Sequence, residues 1–422
     1  MRLRTVIRSS SATILLPFLV AFVLLALSDD LTDWVTPHYW ASVTGSASFA
    51  LAFIAAACAG SAAWEAARLA KGRVFDQAPV RSPLSITLTL LLPVLATGLL
   101  ALLAAVTIAA IAADVPFGLP HPGILAADAA VLFASTLAGS VIGRIMPGVL
   151  AAPLALIGSF FANAYPASWN TYWMRHLVGG GLKNCCSIDT TIDTRALLGA
   201  AVFTTGVSAA ALLLIRFRGR AVPLAVAAAC VAGSLASAWL LVRDLGPDPV
   251  KARAVNELVC DDAGRYRICL WPEVNNPSQV RQDTRAAAQK LQQAGVPVPR
   301  TITMAARPAP NAMKLGISPT TRRQDIPRGI ASGLLPQPPA CAIEGRPYPA
   351  GDAVIPMEAW LQTTAGAAPV TVEAQLDPQA ANLLKQLRQL PPDQQLAWYN
   401  HNRQAMSTCG TKPQLTVTEG RP

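Results

Sequence analysis

Apolar residues dominate the first 242 positions in long uncharged runs rich in Ala, Leu and Val. A polar, proline-bearing remainder follows. A bilayer-spanning helix needs about 20 mostly apolar residues. Seven runs approach or exceed that length: Ser11–Ser28, Ala41–Ala63, Leu84–Ala113, Gly123–Gly143, Pro147–Tyr165, Ala196–Ile215 and Ala221–Val242. Basic residues precede the first run, as in a secretory signal. That run is long for a signal, ends at Asp29-Asp30 rather than at a small-residue cleavage site, and is followed by more spans, so it reads as retained.

The remainder has its own pattern. Arg243–Val250 reads as a stiff link away from the membrane. Asp262-Ala-Gly264 is a turn signal between two short extended runs, predicting a β-hairpin over Val259–Glu273. Ser278–Ala294 has helical apolar spacing, with Ser278 placed to cap it and Gly295 to end it. The VPVPRTITMAARP segment reads as a strand, residues 305–350 as proline-rich and irregular, and Gly351–Pro369 as weakly strand-like. Asp377–Leu390 and Asp393–Cys409 read as a helical hairpin broken by Pro391-Pro392.

The expected fold is therefore an all-α transmembrane bundle of about seven helices with a small α/β or α+β domain. The transmembrane domain covers 1–242, the link 243–250 and the second domain 251–422.

Charge gives this plan an orientation. With the N-terminus inside, the inner segments hold Arg2, Arg4, Arg8, Arg68, Lys71, Arg73, Arg81, Arg144, Arg216, Arg218 and Arg220. The outer loops hold only Arg175, Lys183 and Arg195. Cytoplasmic loops carry the excess of Lys and Arg, so a multi-pass cell-membrane protein with a cytoplasmic N-terminus and an extracytoplasmic C-terminal domain is expected. Charged residues are only 14% of the 422, well below the quarter common in soluble chains, which argues against a cytosolic enzyme. The net charge of +10 divides equally between the two halves. With no dense basic stripe, nucleic acid is not an expected partner.

Six of the eight cysteines, 185, 186, 260, 269, 341 and 409, fall on the expected outer side, where disulfides persist. Cys260 and Cys269 lie on opposite arms of the hairpin and are expected to pair, and so are Cys341 and Cys409. Adjacent Cys185 and Cys186 are too close for an unstrained mutual bridge, so one of them is expected to pair between subunits.

Little in the chain points to catalysis. It has four histidines, no H-E-x-x-H and no phosphate-binding G-x-x-x-x-G-K-[ST], so neither a metal nor another cofactor is expected. Glu273 with His401 is a weak acid–base signal, and the chain reads as no enzyme. Glu273 reads as a solvated or salt-bridged residue and Trp271 as core. Asp128, the acidic residue clearly within a span, reads as an interfacial or inter-helix hydrogen-bonding group rather than a proton relay.

The longest inner loop, WEAARLAKGRVFDQAPVRSP (Trp64–Pro83), is basic and helix-compatible until Asp76 and Pro79, and a short basic helix there could dock a soluble partner or anchor to anionic lipid of the bilayer. It resembles the coupling segment of type-2 ABC exporter permeases from actinobacteria, and Gly143–Phe161 is similar to the join between their fourth and fifth spans. The resemblance implies a permease-like subunit of an export or immunity system. It implies an ATP-binding subunit supplied in trans, docked on Glu65, Arg68, Lys71, Arg73 and Asp76, and a second permease subunit as homo- or heterodimer. The seventh span, which exports the C-terminus, departs from that family. The VC…ICLWPE pattern with the closing PPDQQLAWYNHNRQAMSTC resembles an uncharacterised extracytoplasmic domain of actinobacterial membrane proteins associated with ABC transporters. Relatives carry a histidine after W-P-E where this chain has Val274 and Asn275. The alternative reading is a non-transporting, membrane-anchored sensor or envelope-binding protein whose outer domain binds a ligand.

Overall fold

A computed structural model describes residues 10–28, 35–74, 77, 81–179, 181–217, 221–262 and 264–416. The chain forms two compact units, Met1–Lys251 and Ala252–Pro422.

The first unit is helical. In order come α1 (Ala12–Ser28), α2 (Trp40–Ala47), a 3-10 turn (Ser48–Ala50), α3 (Leu51–Lys71), α4 (Pro83–Ala112), α5 (Pro122–Ile145), α6 (Gly148–Ala164), α7 (Thr194–Arg216) and α8 (Ala221–Val242). Six helical stretches are long and apolar enough to cross a membrane, the first being the continuous run Trp40–Lys71 through α2 and α3. The seventh expected span, α1, is a helix of 17 residues, apolar but shorter than the rest. Proline opens α4 and α5, at the helix-start position where its missing N–H costs nothing. Ser82 caps α4 by accepting from Ser85 N–H, and His121 caps α5 by accepting from Ile124 N–H.

Small residues set the packing at the centre of this unit. Ala59 and Ala63 of α3 face Gly139 and Gly143 of α5 so closely that a Cβ on either glycine would overlap the facing backbone carbonyl. Such four-residue spacing of small side chains lets membrane helices approach to van der Waals contact of their backbones. A larger apolar core of Ile54, Leu102, Val106, Val131 and Leu132 lies alongside.

Residues 243–250, expected as a stiff link, are held by contacts with the preceding chain. Leu245 is buried with Leu177, Ala196, Ala238 and Val242. Arg175 donates to Pro247 O at 3.2 Å, His176 Nε2 lies 3.0 Å from Gly246 O, and Asp193 N–H donates to Pro249 O at 2.7 Å. The segment has carbonyls that the loop's basic side chains can satisfy, so it packs down. Two short strands, β1 (Thr190–Ile192) and β2 (Val250–Ala252), lie nearby in this part of the chain.

The second unit contains a four-stranded sheet in the order β3 (Val259–Asp261), β4 (Arg267–Leu270), β5 (Thr301–Thr303) and β6 (Ala312–Lys314). β3 and β4 form the expected antiparallel hairpin. β5 lies parallel to β4 after the crossover helix α9 (Pro277–Gln293), and β6 lies parallel to β5. α9 begins at Pro277 with left-handed Asn276 as its cap, two residues before the cap expected at Ser278.

Two expectations for this unit are corrected. Residues 305–350 are not irregular throughout, since they contain β6, α10 (Ile326–Leu334) and α11 (Ala340–Ile343). Gly351–Pro369 is not strand-like. It forms α12 (Val354–Ala365), closed by Gly366 at φ +110°. Trp360 draws this segment into the core, where it stacks on Tyr399 with ring centroids 5.3 Å apart. The short α13 (Pro369–Glu373) leads to the expected helical pair, α14 (Pro378–Gln389) and α15 (Pro392–Met406). These bury Leu383, Leu384, Leu387, Trp398, Tyr399 and Met406.

Candidate functional site

The charged end of α3 carries most of the residues singled out between Trp64 and Pro83, and the structure separates their roles. Glu65 is 1% exposed. Its Oε1 accepts from the Ser11 N–H at 2.7 Å and its Oε2 from Arg68 Nη1 at 3.0 Å. It is thus an internal cap on α1, not a surface charge. The outer part of the Arg68 side chain remains in solvent, Lys71 is exposed at the end of the helix, and Arg73 follows at φ +48°. Asp76 lies outside the described residues.

A groove of about 500 Å³ opens beside Arg68 and Lys71, walled by Trp64, Arg144, Met146 and Val149. Arg144 is committed to the fold: it donates to Ile215 O at 2.9 Å and to Thr87 Oγ1. The groove therefore offers Arg68 and Lys71 as its exposed cations, over an apolar floor.

Within the bundle, Asp128 is 0% exposed and accepts from Ser48 Oγ at 2.7 Å. Its other oxygen has no hydrogen-bond partner among the described residues. Ser48 sits in the 3-10 turn that interrupts the α2–α3 run, so the break in the helix faces the buried carboxylate. A cavity of about 220 Å³ lies against that turn, bounded by Phe49, Phe53, Phe160, Asn163 and Lys183.

In the loop between α6 and α7, Cys185 and Cys186 are bonded to each other, with a cis peptide between them and Cα atoms 3.1 Å apart. The sequence expectation was pairing between subunits.

In the second unit, Cys260 and Cys269 face each other across the hairpin register and are bonded, with Cα atoms 4.0 Å apart. Cys341 and Cys409 are bonded with Cα atoms 5.9 Å apart. The Trp271-Pro-Glu273 segment is organised by a residue the sequence reading did not single out. Arg253 grips both oxygens of Glu273, at 3.0 and 2.7 Å, and lies 4.4 Å from the Trp271 ring centre. Trp271 is buried and donates to Met304 O at 3.1 Å. A guanidinium over an indole with a bidentate carboxylate is a stabilising arrangement in its own right. No cluster of three metal-ligating side chains occurs among the described residues.

With this geometry in view, one comparison matches. Residues 268–409 match a domain of unknown function, DUF7224. The match begins inside β4 and ends at Cys409, so it covers most of the second unit and none of the membrane-length helices. No curated protein and no solved structure matches the chain.

Proposed function

We propose that the chain is a permease-like integral membrane subunit of an ABC-type export or immunity system, energised by a separate ATPase subunit and paired with itself or a second permease. The observation that carries this reading is the end of α3, where exposed Arg68 and Lys71 border an open groove and the chain turns sharply at Arg73. An acidic surface of an ATPase subunit fits that site. Glu65 serves the fold rather than the contact. α6 and α8 bury little within the chain and offer faces for lipid or for the second permease.

In this reading the Gly72 turn is cytoplasmic and the second unit is extracytoplasmic. Five membrane-length helices separate Gly72 from residue 252, so an odd number of crossings supports opposite sides whether or not α1 also crosses. Reporter fusions after Gly72 and after Asp248 should read cytoplasmic and external, and an external signal at Gly72 would overturn the topology.

Docking is tested by charge. Arg68→Glu with Arg73→Glu should abolish co-purification of the ATPase subunit. Lipid attraction needs only positive charge, about 1 kcal/mol per basic residue, so Asp76→Lys should strengthen it while damaging a protein interface. Full ATPase association in Asp76→Lys would count against coupling. It would favour the second reading, an anchored sensor or envelope-binding protein, which the polar cleft described next also supports.

A further inference from the structure

The C-terminal unit carries a polar hollow of about 620 Å³ where α9, the turn into α10 and the α12–α13 junction meet. Lys290, Arg322, Arg323 and Arg328 line it, with Asp283 and Asp325 as its carboxylates. A second hollow of about 550 Å³ adjoins it, sharing Lys290 and Ala367 and adding Arg388. Lys290 therefore stands at the junction of the two.

The charges around these hollows are unequally engaged. Asp283 forms an ion pair with Arg323 at 3.2 Å and accepts from Gln279 at 3.1 Å. Arg328 faces Glu358 at 3.8 Å and Arg388 faces Glu373 at 3.7 Å. Lys290 and Arg322 have no ion-pair partner among the described residues, and Asp325 is the one lining carboxylate without one. The Lys290 ammonium lies beside Gly366, the left-handed stop of α12, close enough that an added Cβ would displace this flexible side-chain end. It stands at the waist of the double hollow.

We propose that this double hollow binds a small polyanion bearing phosphate or carboxylate groups, held by Lys290 at its centre and Arg322 at its rim. The ammonium acts as a compact point charge and the guanidinium as a two-pronged donor to oxygen pairs. Each hollow falls within the range of about 300–1,000 Å³ typical of small-molecule sites. Asp325 is the repulsive element, disfavouring ligands of excess charge at the Arg322 rim. The site rests on the C-terminal unit alone and stands whether or not the membrane half transports.

The test is titration calorimetry of the full-length protein in nanodiscs of zwitterionic lipid, with inorganic pyrophosphate and, separately, citrate as probes. Saturable binding of at least one probe is expected. Pyrophosphate alone indicates phosphate recognition and citrate alone indicates carboxylate recognition. Lys290→Gln and Arg322→Gln should each weaken binding about tenfold or more, the scale of one charge-assisted hydrogen bond. Asp325→Asn should tighten it severalfold, and Arg307→Gln, an exposed cation away from the hollows, should leave it unchanged. No saturable heat with either probe up to about 1 mM would overturn the proposal. So would wild-type affinity in both Gln variants, or weaker binding in Asp325→Asn. If Lys290→Gln lowered the melting temperature but bound both probes normally, Lys290 would be a helix-end cation only, and the site would be lost with it.

Discussion

The backbone N–H of Ser11 donates to Oε1 of Glu65 across 2.7 Å, joining the start of α1 to the charged end of α3. A carboxylate in the first turn of a helix meets the positive end of its dipole as well as an orphan donor. Arg68 takes the other oxygen. Glu65→Ala should therefore destabilise the bundle by about 1–3 kcal/mol, the cost of leaving buried partners unpaired. Arg68→Gln, which loses only a half-exposed ion pair, should cost about 0–1 kcal/mol. Thermal melts of the two variants in detergent test the difference, and equal melting temperatures would contradict the cap.

The α3–α5 contact makes a sharper prediction. Leucine at Gly139 or Gly143 must displace the backbone of Ala59 or Ala63, so each variant should fail to yield a monodisperse protein in detergent. Gly158 has open space where its Cβ would stand. Gly158→Leu should behave as wild type by size-exclusion chromatography, which separates a steric effect from general intolerance of leucine in a span.

His176 predicts a pH dependence. Burial holds its pKa below the ordinary histidine value, partly opposed by its bond to Gly246 O. The neutral ring donates through Nε2, and Nδ1 has no partner among the described residues. Protonation would add a second N–H with nothing to receive it. Because the folded pKa is lowered, its contribution is present above the unfolded value of about 6.5 and is lost as pH falls below it. Melting temperature should drop between about pH 6.5 and 5. His176→Gln, which keeps a donor but cannot titrate, should flatten that limb.

The two disulfides of the C-terminal unit close loops of different length, with sequence separations of 9 and 68. On the chain-entropy account, removing Cys341–Cys409 should cost about 4 kcal/mol and removing Cys260–Cys269 about 3 kcal/mol. Paired Cys→Ser variants, unfolded in urea, should rank in that order. Free thiols at 260 and 269 in non-reducing mass spectrometry would remove the hairpin bridge.

The membrane-length helices were legible because a long uncharged run has few alternatives. The burial of Glu65 was harder to see, since it lies in a charged stretch. Yet Ile54, Cys58, Ala62 and Glu65 follow helical spacing and are all buried, so extending the apolar face of α3 by one turn would have found it. Ser48 and Arg253 act through residues 80 and 20 positions away, and no local pattern announces such pairings. α12 was misread because Val354, Ile355, Thr363 and Thr364 favour strands locally. The packing of Trp360 outweighs that preference, and Gly366 was the overlooked stop. The hollows around Lys290 arise from four separate chain segments, which spacing along the sequence does not bring together.

The Cys341–Cys409 bond also governs what damage to the molecule looks like. It clasps α11 to α15 into one covalent ring, and the family match stops at its far cysteine. A protease that cuts the backbone at any point inside this ring opens it without releasing a fragment. Clipped and intact chains would then migrate together until a reductant is added, and the severed segments would stay covalently joined.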